Sequence, residues 1–197
     1  MYNLIKGLNN LFVSKVRIKA VKYFLFNPDV PIHLRGAVRE FKEEINAVRR
    51  EMSRLEEIGF ITSESRGNRK YFLMNKDHPY MPELMGMFHK TFGIGGSILQ
   101  NLEKLGNIQF VILSGSFTNV MRPSVHNVDL VVIGDVNVDE LNVMVEEAEK
   151  KLGRQINYTV MKQSEFILRK KRRDPFTMEL LMGNKILIVG DNSDLVA

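Results

Sequence analysis

Arg39–Ile61 reads REFKEEINAVRREMSRLEEIGFI, and its periodicity decides the fold of the N-terminal part. Ile45, Val48, Met52, Leu55 and Ile58 recur at three- and four-residue spacing. That spacing predicts a helix over 45–58 with one apolar stripe. Asn46, Arg49, Arg50, Ser53 and Arg54 project elsewhere. Gly59 predicts the stop, because glycine readily supplies the left-handed residue that ends a helix.

Upstream, Ser14–Phe26 reads as a second helix. Val16, Ala20 and Phe24, with Val21 and Leu25, keep helical spacing, and Lys15, Arg17, Lys19 and Lys22 fall between them. Asn27-Pro28-Asp29 ends it, since proline restrains the preceding residue away from helical geometry. Pro31 suits a first helical turn, so a short helix is predicted over 32–41. Downstream, Phe60-Ile61-Thr62 and Lys70–Met74 are strand-like. Residues 65–69, Ser-Arg-Gly-Asn-Arg, form the predicted turn between them.

Three helices and a basic hairpin in this order resemble a winged helix-turn-helix. Arg39–Ile61 is similar to the second and third helices of bacterial and archaeal winged-helix transcription regulators, with LEEIGFI leading into the wing. The resemblance covers about the first 75 residues. It implies that Val48 packs into the core and that the Arg-rich face enters the major groove, where Arg bonds guanine and Asn bonds adenine. The expected DNA-contacting set is Asn46, Arg49, Arg50, Ser53 and Arg54 on the helix, with Arg66, Asn68, Arg69 and Lys70 on the wing. Each Arg equally fits a solvated helix face with local ion pairs. Lys42 stands where the family usually has the Gly of the turn. Glu43 and Glu44 follow where uncharged residues are common, and their charge repels phosphates.

The charge distribution agrees with a polyanionic partner. The 197-residue chain carries a net +5. Residues 1–79 hold 15 Lys and Arg against 9 Asp and Glu, a net +6. Residues 80–197 hold 13 against 14. A basic module of this kind points to nucleic acid. The absence of Cys excludes a disulfide scaffold, Cys-ligated zinc, iron–sulfur clusters and a thiol nucleophile, and fits a reducing cytosol. No apolar run approaches the roughly 18–20 residues that span a bilayer. Met1–Asn10 lacks the apolar stretch of a signal peptide. A cytoplasmic protein with no membrane partner is expected.

Residues 80–106 read as a helical connector. Met81, Leu84, Met85, Met87 and Phe88 fit packing against a domain or a dimer partner. Phe92-Gly93-Ile94-Gly95-Gly96-Ser97 lacks the Gly-Lys-Ser/Thr of a phosphate loop and reads as a break before a helix over 97–105. From 107 onward strands and helices alternate. Strands are predicted over 108–113, 128–133, 156–161 and 186–189, and helices over 138–152, 164–173 and 176–182. The class is α+β with a small mixed sheet.

Gly115-Ser116, followed a dozen residues later by Asn127-Val128-Asp129 at a strand, resembles the minimal nucleotidyltransferases of the DNA polymerase beta superfamily. That family has Asp-x-Asp there. The resemblance implies backbone N–H groups of Gly115 and Ser116 around a triphosphate, and carboxylates holding two Mg²⁺ ions. The sequence departs from it. Asn127 replaces the first Asp, His126 the usual Ser and Val120 a Gly, and the strand Ile156-Asn157-Tyr158-Thr159 lacks the third carboxylate. Asp129 alone cannot neutralise two divalent ions, and Asp135 lies past the strand end. No cofactor is expected, with Mg²⁺ required only for an active enzyme. For Arg169-Lys170-Lys171-Arg172-Arg173 three readings stay open: an extended DNA footprint, a phosphate grip near Gly115, or a solvated helix end.

These readings combine into one expectation: a winged helix-turn-helix over 1–79, a connector over 80–106 and a nucleotidyltransferase-like domain over 107–197. Together they describe a transcription regulator binding double-stranded DNA as a homodimer. Its second domain is catalytically degenerate and serves dimerisation or sensing of a nucleotide effector. The alternatives are an active Mg²⁺-dependent nucleotidyltransferase of the toxin–antitoxin kind, and an antitoxin-like interaction module.

Overall fold

The computed structural model describes residues 4–114, 117 and 128–197. Its contacts divide the chain into two units, residues 1–84 and 85–197.

The first unit begins with α1 (Leu4–Phe12), which the sequence analysis did not anticipate; only Leu8 of it is buried. Ser14 then caps α2 (Lys15–Phe26), accepting from the Arg17 N–H. The expected helix over 32–41 is shorter. Ile32–His33 forms β1, and α3 (Leu34–Phe41) follows with His33 as its cap. Pairing with a distant strand overrides the Pro31 signal: Ile32 lies opposite Phe72 and His33 opposite Tyr71.

The helix α4 (Ile45–Glu57) carries Val48, Met52 and Leu55 into a core with Ala20, Val21, Phe24, Ala37 and Phe41. Ile58 leaves the expected stripe. It lies past the helix end and is 63% exposed, because Gly59 turns the chain at a φ of +71°.

The hairpin β2 (Ile61–Arg66) and β3 (Arg69–Met74) is tighter than predicted. The strands pair through Arg66 opposite Arg69, leaving Gly67-Asn68 as a two-residue turn. Gly67 takes a φ of +61°, the first central position of a hairpin turn that favours glycine. The sheet order is β1-β3-β2, all antiparallel.

The connector forms α5 (Met81–Thr91), α6 (Gly93–Gln100) and α7 (Leu102–Leu105), and the two units divide inside α5. Met81, Met85 and Phe88 are buried, and Met87 and Tyr80 stay exposed. The glycines do not simply break the helix. Gly95 and Gly96 lie within α6, where a Cβ would come 2.3 Å from the His89 carbonyl and 2.5 Å from that of Thr91. Their missing side chains let α6 fold back closely on the end of α5.

The second unit continues with β4 (Gly106–Leu113), β5 (Leu130–Val136), α8 (Val138–Leu152), β6 (Tyr158–Met161), α9 (Gln163–Lys171), α10 (Pro175–Met182), β7 (Ile186–Val189) and α11 (Asn192–Val196). The sheet order is β6-β5-β4-β7. β5 and β6 run parallel, and the other pairs antiparallel. Alternate residues fill both faces, which explains the unbroken apolar runs of β4 and β5. Phe110, Ile112, Val131 and Ile133 meet Met161, Phe166, Leu180 and Leu195 on one face. The structure is thus α+β in both units, with an antiparallel wing sheet in the first and a mixed four-stranded sheet in the second.

Candidate nucleic-acid interface

The turn before α4 explains two departures from the winged-helix pattern. Lys42, in the position of the usual Gly, adopts the left-handed geometry itself, with φ 52° and ψ 50°. Glu44 caps α4. Its Oε2 accepts from the N–H groups of Asn46 at 2.8 Å and Ala47 at 3.0 Å. Those two bonds hold its carboxyl below the usual glutamate range. Glu43 is drawn to the Lys19 ammonium, whose Nζ also donates to the Phe41 carbonyl. The acidic pair therefore has structural work in this turn, and Glu44 occupies the N–H groups at the helix start.

A cavity of about 750 Å³ opens between α3, α4 and β3. Arg49, Ser53, Asn68, Arg69 and Lys70 line it, joined by Arg35 and Arg39 of α3 and by His33. Arg35 and Arg39 were missed in the sequence analysis. They fall outside the Arg-rich stretch of α4, and only the packing of α3 across α4 brings them to the same groove. Arg35, Arg39 and Arg69 are exposed and form no ion pair among the described residues, and the exposed Arg50 lies close enough to Glu44 to help lower its carboxyl.

Other expected contacts are engaged locally. Arg49 Nη1 donates to Asn46 Oδ1 at 3.3 Å. Arg54 pairs with the buried Glu51 at 3.0 Å, and Arg17 holds the other Glu51 oxygen at 2.8 Å. Burial pushes the Glu51 carboxyl up, but Arg17, Ser14 and Arg54 together outweigh this and the net shift is downward. Arg66 pairs with Glu64 and lies 5.3 Å from the Tyr71 ring centroid. Lys70 pairs with Glu56 at 2.7 Å. The exposed pairs at Arg66 and Lys70 are each worth little.

In the second unit, Gly115, Ser116, His126 and Asn127 lie outside the described residues. Asp129 is described, and it is 5% exposed. Its N–H donates to the Asn157 carbonyl at 2.7 Å, and its Oδ2 accepts from the Asn157 N–H at 3.1 Å. It thereby clamps the starts of β5 and β6 together. Arg154 Nη1 lies 3.5 Å from the same oxygen, and its guanidinium sits 5.0 Å from the Phe117 ring centroid. Arg154 was not anticipated. It precedes β6 and meets Asp129 only through the fold. Among the described residues, no group of three or more His, Asp or Glu side chains is placed to hold a metal ion. Asp129, the described member of the expected set, faces the Arg154 guanidinium. No helix among them is long and apolar enough to cross a membrane.

No family model matches this chain, and no curated protein matches it. Among solved structures it is similar to human N-acetylserotonin methyltransferase in complex with SAM, with a TM-score of 0.30 and 13% identity over 54% of this chain. The chain spans 34% of that protein's length, and a likeness this distant carries no functional weight. The class rests on the chain's own architecture. Helices α2–α4, with a three-stranded antiparallel sheet made of β1 between α2 and α3 and the β2–β3 hairpin after α4, fit a winged helix-turn-helix.

Proposed function

We propose that this chain is a transcription regulator that binds double-stranded DNA through its winged helix-turn-helix. The observation that carries the reading is the groove between α3, α4 and β3, where Arg35, Arg39, Arg49, Arg69 and Lys70 converge from three elements. Asn46, Arg49, Arg50 and Ser53 would meet base edges or phosphates in the major groove. Arg54, exchanging its Glu51 partner, and Arg66, Asn68, Arg69 and Lys70 on the wing would grip the backbone. Fluorescence anisotropy with labelled duplex across a salt series tests this. Binding should weaken steeply with salt, and Arg49→Ala with Arg69→Ala should lower affinity at every salt concentration. Salt-independent or absent binding would remove the reading.

The second unit, on this proposal, is a nucleotidyltransferase-like domain without catalysis that serves dimerisation or nucleotide sensing. Support comes from the order of β4, β5, α8 and β6, with Asp129 at the entrance to β5. The Arg154–Asp129 pair supports the loss of metal chemistry. Incubation with labelled nucleoside triphosphates and Mg²⁺ or Mn²⁺ should give no transfer. Transfer that disappears in Asp129→Ala would restore the enzyme reading. Light scattering after size exclusion tests the homodimer, and calorimetric titration with nucleotides tests the effector.

A further inference from the structure

The basic run at the end of α9 is not absorbed by this function. Five of the 13 Lys and Arg in residues 80–197 occupy positions 169–173, in a stretch of chain that carries no net positive charge. Two of the five are used internally. Arg169 pairs with Glu165 and reaches Asp174, and Lys170 Nζ donates to the Leu195 carbonyl at 3.2 Å. Lys171, Arg172 and Arg173 are exposed and have no acidic partner among the described residues. Asp194 lines the neighbouring cleft of about 710 Å³ together with Lys170 and Lys171, and forms no ion pair with either.

A helix end needing cations to cap it would explain the run, but this end is closed by its own backbone. The Arg172 N–H donates to the Leu168 carbonyl, that of Arg173 to Lys170 and that of Asp174 to Arg169, each at 3.0 Å. Asp174 then turns away and caps α10 through Thr177. The backbone at Arg173 is the second observation. Its φ is +52°, in the left-handed region where a side chain costs stability and glycine does not. The chain ends α4 and α8 at such a position with glycine, Gly59 and Gly153, and places Val13 after α1 and Lys42 after α3 there without one. After α9 an arginine holds this position, where glycine would carry a smaller conformational cost.

We infer that Lys171, Arg172 and Arg173 form a phosphate-backbone contact for duplex DNA, carried by the second unit in addition to the winged helix. The inference rests on the DNA-binding reading, and its test separates the two. Duplex affinity is measured by anisotropy from low to high salt for the wild type, Lys171→Ala/Arg172→Ala/Arg173→Ala, Arg173→Gly, and Arg49→Ala/Arg69→Ala. The triple variant should lose roughly 2–3 from the slope of log affinity against log salt, at about 0.9 per phosphate contact. Its circular dichroism should match the wild type. Arg173→Gly should raise the melting temperature and yet lose about 1 from the slope. A merely structural arginine would give the first change without the second. An unchanged slope in the triple variant, while Arg49→Ala/Arg69→Ala binds more weakly, would overturn the inference and leave the reading standing. Vesicles of phosphatidylserine serve as the competing anion; binding to them that is lost in the triple variant, with the DNA slope unchanged, also overturns it. Absence of duplex binding by the wild type would overturn both.

Discussion

The two units treat charge in opposite ways. In the first, Arg35, Arg39 and Arg69 converge on one open groove with no carboxylate among the described residues to neutralise them. In the second, Arg154 is turned onto Asp129, and that aspartate is tied into the backbone of two strands. The first arrangement keeps positive charge available for a polyanion. The second removes a carboxylate from availability to a cation. The composition alone, a basic beginning and a near-neutral remainder, does not distinguish a unit that uses its charges from one that cancels them.

The sharpest way to separate the units is acid. Burial pushes the His89 imidazole down to about 4 from an ordinary 6.5. It stays neutral when folded, while the unfolded chain takes up its proton below pH 6.5. Its contribution is therefore fully present above that pH and is lost as the pH falls from 6.5 toward 4. About 3 kcal/mol of stability should disappear across that window. Hydrogen exchange should locate the loss in residues 85–197, and His89→Leu should flatten it. A loss spread evenly over both units would erase the contrast.

Next in size is Asp129→Ala. It leaves the Asn157 N–H and the Arg154 guanidinium without their shared acceptor and should cost about 2 kcal/mol. Urea unfolding followed by circular dichroism measures this. Duplex affinity should not change, and a parallel loss of DNA binding would break the separation of roles.

In the wing, Gly67→Ala should cost about 1 kcal/mol, because a φ of +61° strains any residue with a Cβ. Nothing crowds that position, so the cost is conformational. Duplex affinity should fall with it, since Arg66, Asn68 and Arg69 depend on the turn.

The smallest expected effect is at Glu44. Glu44→Gln removes a negative charge at the start of α4 and should raise duplex affinity several-fold at low salt, with the gain fading as salt increases. Its depressed carboxyl pKa also means that the cap's contribution is present above the usual glutamate range and fades as the pH falls through the lowered value. The glutamine variant should lack that acid-side loss.

Much of the element order was legible locally. The helix Val138–Leu152 is bounded by Asn137, which caps it, and Gly153 at a φ of +68°, and both signals sit in the sequence beside the helix. The strand Ile186–Val189 is an apolar run between polar neighbours. The winged-helix order follows from the stripe on α4 and the hairpin after it. What local signals missed has long-range causes. β1 exists because Ile32 and His33 pair with residues about forty positions away. Gly95 and Gly96 read as a break, but their role is the approach of two helices. Lys42 was marked as a departure, yet it takes the left-handed geometry that the turn requires.

The candidate site divides in the same way. Arg49, Arg69, Ser53, Asn68 and Lys70 could be named from α4 and the wing alone, and they line one groove. Arg35 and Arg39 join them through the packing of α3, and Arg154 reaches Asp129 across 25 residues of sequence.

By itself the sequence determined most of the longer helices and strands, the uneven charge, and the shortage of carboxylates where a nucleotidyltransferase would need them. These depend on residue type and spacing along a single segment. The tertiary structure decided which cations stay open to a partner and which are cancelled. That depends on distances between segments remote in the chain, because an ion pair is set by angstroms in space and not by positions in sequence.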